Sequence, residues 1–230
     1  MDNGEWLQRP EWGVALTVAA YAAALLLRRR LPWMHPLFVG TGLVVLILLA
    51  GGVSYEDYRI GGDLVLFMLG PATVALGVPL YKHSRQLRHQ LGAVLAGVTA
   101  GSLASIGSAW LLAAGAGLSS AVASSLLPKS VTSAVSVSLA GTLGGIPELT
   151  AVLTVLTGLL GSMFGPLLLR RCRLGSDLAI GVGVGTAAHG IGTARLVNDS
   201  QWQGSVGALA MSISCIVTPL LLLPLHWLLP

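Results

Sequence analysis

Residues 185–195 read GTAAHGIGTAR, and what this stretch means decides the fold. His189, Thr186, Thr193 and Arg195 stand here among glycines, with aliphatic runs on both sides. A bilayer core penalises ionisable groups and unpaired backbone, so a polar, glycine-broken segment inside an apolar chain is rarely idle. A second stretch, LLPKSVTSA at 126–134, has the same character, with Pro128, Lys129, Ser130, Thr132 and Ser133 interrupting a hydrophobic run. Two such interruptions in one membrane protein point to a solute site near mid-membrane.

The membrane reading rests on composition. Charged residues make up 10% of the 230 and hydrophobic ones 54%, where a soluble domain carries about 25% charged residues. Mean hydropathy is +0.80. Runs long enough to span appear at 12–27, 36–52, 62–80, 91–114, 147–169 and 204–229, against the roughly 17–25 residues that a spanning helix needs. Thirty glycines suit closely packed membrane helices. The expectation is an all-α polytopic membrane protein with about six full spans and two broken or re-entrant helical hairpins. It forms one integral membrane domain over 1–230, with two spans in 1–61, two more in 62–118, and a hairpin plus span in each of 119–169 and 175–230.

A net charge of +4 raises the question of nucleic acid. The bases instead cluster at span ends: Arg28, Arg29 and Arg30, then Lys82, Arg85 and Arg88, then Arg170, Arg171 and Arg173. That is the signature of cytoplasmic loops, and no basic face carries interleaved aromatics. The acids Glu56, Asp57 and Asp63 are expected in the opposite loop. The first span ends in three arginines, the flank of a retained helix and not of a cleaved signal. Cys172 and Cys215 lie in a basic loop and an apolar run, so neither a disulfide framework nor a metal motif is expected.

With every basic cluster inside, the N-terminus lies outside the membrane. Spans one to four then run in, out, in, out. Only one clear span, 147–169, separates residue 115 from the next inner cluster at Arg170. Residues 119–146 must therefore leave and return on the outer side, as two short arms, 119–127 and 130–140, broken at Pro128. Neither arm is long enough to cross alone. Residues 175–184 and 191–197 are also too short to span separately. As a hairpin entering from the inner side around GTAAHGIG, they mirror the first; the alternative is one kinked span over 175–197. Hairpin plus span, twice in opposite orientation, is an inverted-repeat transporter architecture.

Each polar residue carries two readings. Lys129 sits where a helix breaks, suited to pair with an anion beside the free N–H groups of the next arm, or to snorkel to the headgroups. Ser130 and Thr132 either join that anion site or cap the second arm. His189 titrates near neutral pH and can relay a proton or bind a carboxylate, or it satisfies a carbonyl of a broken helix. Gly190 beside it gives room to a ligand. Thr186 and Thr193 are substrate contacts or caps. Arg195 is an inner anchor or a second anion contact. Glu148, after Pro147, suits a first helical turn, with proton coupling as the functional alternative. Gly141, Gly144 and Gly145 supply a tight turn. Gly181, Gly183 and Gly185 imitate a nucleotide loop, but no strand precedes them. Trp12, Trp33, Tyr55, Tyr58, Tyr81 and Trp227 fall near span ends as interfacial anchors.

The strings PKSVTSA at 128–134, GGIPELTAVLTVLTGLLGSMFGP at 144–166 and GTAAHGIGTAR at 185–195 resemble the LrgB/CidB family. The likeness covers most of the chain. The family comprises bacterial membrane proteins described as antiholin- or holin-like regulators of murein hydrolases, and its plant relative resembles a plastid glycolate/glycerate translocator. One departure is that Thr132-Ser133-Ala134 stands where Thr-Thr-Pro commonly follows PKSV, which softens the first tip.

The resulting expectation is a secondary transporter of a small carboxylate, glycolate- or pyruvate-like and proton-coupled. Its substrate contacts are Lys129, Ser130, Thr132, Thr186, His189, Gly190, Thr193 and Arg195, with His189 and Glu148 as proton carriers. The alternative is an antiholin- or holin-like regulator of autolysis. The family's paired arrangement implies a small LrgA/CidA-like membrane partner, and a homodimer is the prior for such a fold. No catalysis, cofactor or metal is expected: no G-x-S-x-G elbow occurs and no nucleotide motif survives.

Overall fold

Prolines and small polar residues mark where the helices begin. Pro10, Pro36 and Pro147 each occupy the first helical turn, where their missing N–H costs nothing. Ser54 and Ser176 accept from the backbone N–H three residues on. A computed structural model describes residues 9–31 and 35–228, apart from the side chains of Thr73 and of 225–228. Trp33 and the Trp227 side chain thus lie outside the described residues.

Eleven helices and no strand occur among the described residues: α1 Pro10–Arg30, α2 Pro36–Gly51, α3 Tyr55–Phe67, α4 Leu69–Ala75, α5 Gly77–Lys82, α6 Ser84–Gly115, α7 Ser120–Leu126, α8 Ser133–Thr142, α9 Pro147–Arg171, α10 Asp177–Asp199 and α11 Gln201–Leu228. Five stretches are long and apolar enough to cross a membrane: Pro10–Arg30, Tyr55–Lys82, Ser84–Gly115, Pro147–Arg171 and Gln201–Pro224. The shorter α2 has 16 residues. The protein is an all-α polytopic membrane protein. Leu111, Leu112, Leu167, Ile216 and Leu220 all point outward and exposed, as lipid-facing side chains do.

Two sequence expectations shift. Glu56, Asp57 and Asp63 are helical, not in a loop. Ser54 caps this helix, with Asp57 closing the reciprocal bond at 2.6 Å, and Asp63 pairs with Arg59 one turn away at 3.4 Å. Acids are favoured in a first turn by the helix dipole. The run expected as a span over 62–80 begins at Tyr55 and is broken into α3, α4 and α5. Pro71 and Pro79 fall in this run and cannot donate to the helical ladder.

The chain divides into two compact units, residues 1–75 and 76–230. In the first, α1 and α3 cross at Gly13 and Gly61, where a Cβ on Gly13 would stand 2.9 Å from the Gly61 Cα. Thr17 and Tyr58 share a hydroxyl bond of 2.9 Å beside that crossing.

In the second unit, α6 and α11 run parallel. Val94 and Val98 pack on Ala210, the Thr218 hydroxyl donates to Ser102 at 3.3 Å, and Ile106 meets Leu222. The starts of α6, α10 and α11 share one end. His83 Nδ1 lies 2.9 Å from the Ser205 hydroxyl, and Gln203 Nε2 donates to Asp177 at 2.6 Å. Arg170 and Arg171 close α9 just before α10 begins, so the second and third basic clusters gather at this same end.

Candidate functional site at two helical hairpins

One non-helical residue inside a helix turns the chain in a new direction. In α10 that residue is His189, with φ 40 and ψ −136. Its two arms, 177–188 and 190–199, fold back on each other: Ile180, Val184 and Ala188 of the first pack with Leu196 of the second. A Cβ on Gly192 would stand 2.6 Å from the Ala188 Cβ. The hairpin expected around GTAAHGIG is therefore present, and the single kinked span is not. A positive φ on a residue other than glycine costs on the order of 1–3 kcal/mol and is found where the side chain is wanted.

Where the first hairpin is expected stand two short helices, α7 and α8, joined by a tip at 127–132; α8 packs along α9, and α7 against α6 and α9. In the last turn of α7, next to the tip, the Ser125 hydroxyl accepts from the Ile146 N–H at 2.7 Å and Thr150 donates to the Ser125 carbonyl at 3.1 Å. Gly144, with φ 71, makes the turn into α9. Gly145 packs on the Ser125 backbone, while Gly141 is simply helical. At the tip, the Ser130 and Ser105 hydroxyls are 2.5 Å apart. Lys129 Nζ lies 3.5 Å from the carbonyl and hydroxyl of Ser105, and no carboxylate pairs with it among the described residues. Thr132 takes the N-cap position of α8 without a side-chain cap bond; its hydroxyl lies 3.6 Å from Cys215 Sγ. The first bond of α8 runs from Ser136 N to Thr132 O. The amides of Ser133, Ala134 and Val135 thus have no partner within the helix and add positive potential beside Lys129.

Both hairpins reach one residue of α9. The Thr154 hydroxyl is 2.9 Å from that of Ser136 in the first hairpin. Its carbonyl accepts from His189 Nε2 in the second, at 3.0 Å. A carbonyl only accepts, so Nε2 carries the hydrogen, and in the neutral ring Nδ1 holds the lone pair; no described residue pairs with Nδ1. Gly158 makes room for the ring, since a Cβ there would stand 2.7 Å from it. Thr193 donates its hydroxyl to the His189 carbonyl at 2.8 Å. Gly190, just past the bend, is half-buried and has open space short of Met211.

Thr186, one turn before His189, differs from its neighbours. Thr17, Thr142, Thr150, Thr157 and Thr193 each return a hydroxyl to the carbonyl four residues back. Thr186 is 4% exposed and its hydroxyl has no hydrogen-bond partner. An unpaired buried hydroxyl costs roughly 1–3 kcal/mol, so it neither caps an arm nor fills a packing role at no cost.

The LrgB-like family profile matches residues 17–228 of this chain. The chain belongs to the LrgB family. It is 37% identical to the Bacillus subtilis (strain 168) protein YwbG over 205 residues, covering 88% of this chain and 91% of that one. It is 35% identical to YxaC of the same organism over 206 residues, 89% and 90% of the two chains. It is also 31% identical to the antiholin-like protein LrgB of that organism over 216 residues, 93% and 94% of the two. No solved structure matches.

Within this LrgB-family fold, the sequence-derived site residues separate into groups. Lys129 and Ser130 share Ser105 at the first tip; Thr186, His189, Gly190 and Thr193 form the second. No hydrogen bond or ion pair joins Lys129 to His189 among the described residues. Arg195 lies further down the returning arm, donating to the Ser162 and Met163 carbonyls of α9 and pairing with Asp199 at 3.8 Å. Glu148 is exposed in the first turn of α9. Gly181 and Gly185 pack against α11 and Gly183 against Leu169, so the alternation is helix packing. Sequence reasoning misses Ser105, Ser136, Thr154 and Gly158. Thr154 and Gly158 stand in the string at 144–166, but nothing in their spacing, or in that of Ser105 and Ser136, marks them as site residues.

Proposed function

We propose that this LrgB-family protein is a secondary transporter of a small carboxylate, glycolate- or pyruvate-like. The observation that carries the reading is the convergence of both hairpins on Thr154. Half-length arms whose broken ends meet inside a helical membrane protein are the usual setting of a solute site. The substrate carboxylate binds Lys129 and the open N-terminal amides of α8, with Ser130 and Thr132 alongside. The unpaired Thr186 hydroxyl meets the substrate or its water. His189, held by Thr154 through Nε2, takes a proton on Nδ1 and moves it with the anion. Exposed Glu148 is the weaker proton carrier. The N-terminus lies outside the bacterial inner membrane, because the basic clusters are then inside. The transporter works as a homodimer, with a small LrgA/CidA-like protein as partner, and performs no covalent chemistry.

The name of one relative, antiholin-like protein LrgB, supports a second reading: regulation of murein hydrolases by assembly alone. Uptake of radiolabelled pyruvate and glycolate into proteoliposomes separates the two. Accumulation driven by a proton gradient is the expected result for the chain alone or with its partner. No uptake in either preparation, with assembly-dependent leakage in its place, overturns the transporter reading.

A further inference from the structure

We propose that Arg195 is a positioning residue which supplies to α9 the hydrogen bond that Pro166 withholds. Pro166 lies inside α9 and has no N–H, so the bond from residue 166 back to the Ser162 carbonyl cannot form. In a bilayer, backbone acceptors need a partner from the protein. The Arg195 guanidinium, reaching from the other element of the site, donates to this Ser162 carbonyl through Nη1 and approaches that of Met163 at 3.4 Å. Asp199, one turn on, lies 3.8 Å from Nε. Arg195 therefore has a carboxylate beside its charge, which Lys129 lacks among the described residues.

The consequence is a fixed returning arm. Arg195 sits six residues beyond the bend. It ties the arm to α9 below Gly158, where the His189 ring seats. The missing backbone bond of α9 and the arginine are complementary parts of one joint, and His189 is aligned with Thr154 by that joint. An anion-binding arginine would face the tip instead.

The test is a two-by-two set in the full chain: wild type, Arg195→Met, Pro166→Ala and the double variant. Pro166→Ala restores a backbone N–H that can bond to the Ser162 carbonyl. Arg195→Met alone is expected to lower the melting temperature of the purified protein by about 5 °C, and in the Pro166→Ala background to lower it by less than half as much. If Arg195→Met does not accumulate in membranes, accumulation of the double variant reads the same rescue. A double variant no better than Arg195→Met, or an Arg195→Met protein as stable as wild type, overturns the proposal. Pyruvate uptake adds a second readout, which rests on the transport reading above. Arg195→Met is expected to cut uptake about tenfold with Pro166 present and less than threefold in the Pro166→Ala background. An arginine that binds substrate would show the same loss in both backgrounds. Absence of uptake in wild type would defeat the transport reading while the melting-temperature set still decides the joint.

Discussion

The Thr154 carbonyl lies 3.0 Å from His189 Nε2, a bond across 35 residues of sequence that seats the second hairpin on the helix which also holds the first. Because the carbonyl is backbone, no side-chain substitution at 154 removes it. What substitution removes is the hydroxyl link to Ser136.

Ser136→Ala should lower stability by about 1–2 kcal/mol, because it leaves the buried Thr154 hydroxyl unpaired, and Thr154→Val should cost less, because the Ser136 hydroxyl keeps its bond to the Ser133 carbonyl. The double variant should cost less than the sum. Melting temperatures of the three proteins check this, and strict additivity would show the bond to be energetically idle.

Lys129→Ala should lower carboxylate uptake roughly hundredfold while the protein still inserts, since an anion in a desolvated site loses its compensating charge. Lys129→Arg should retain part of the activity. Wild-type transport by Lys129→Ala would restore the snorkelling reading.

His189→Gln keeps a donor for the Thr154 carbonyl but cannot titrate near neutral pH. Substrate should still bind, while accumulation and the dependence of uptake on external pH are lost. Superimposable pH profiles for wild type and variant would remove His189 from the mechanism.

Gly158→Ala should mimic the loss of His189. A Cβ at 158 would stand 2.7 Å from the imidazole, tighter than any packed contact, so the ring must leave its place. The expected result is membrane insertion with uptake reduced about tenfold or more. Uptake equal to wild type would mean that ring placement is not needed.

The first hairpin should present both ends to the outside. Leu118 and Gly141 are exposed, and a Cβ on Gly141 meets open space. Cysteines placed there, in a chain lacking Cys172 and Cys215, should both react with an impermeant reagent added outside. Labelling of one only from the inside would make 119–146 a crossing.

What is legible in the sequence follows from the kind of physics involved. Charge clusters and run lengths are visible along a chain, and they lead to both hairpins: α7 and α8 stand within a few residues of the expected arms, and α10 bends at its histidine. The acids Glu56 and Asp57 read as loop because the apolar run starts later, while Ser54 starts the helix locally. Partners across helices are not legible. Nothing along the chain joins Ser136 to Thr154, and Arg195 leaves two readings open until Pro166 stands opposite it.

The glycines of α10 have a mechanical meaning. At Gly185 and Gly207 the backbones of hairpin and α11 touch, and Gly204 leaves no room beyond Val197. Interlocked main chains cannot slide without separating altogether, whereas His189 and Arg195 meet α9 through hydrogen bonds that water or substrate can replace. The second hairpin and α11 are therefore packed as one piece, and a side chain added at Gly185 or Gly207 would have to part them along their whole shared face.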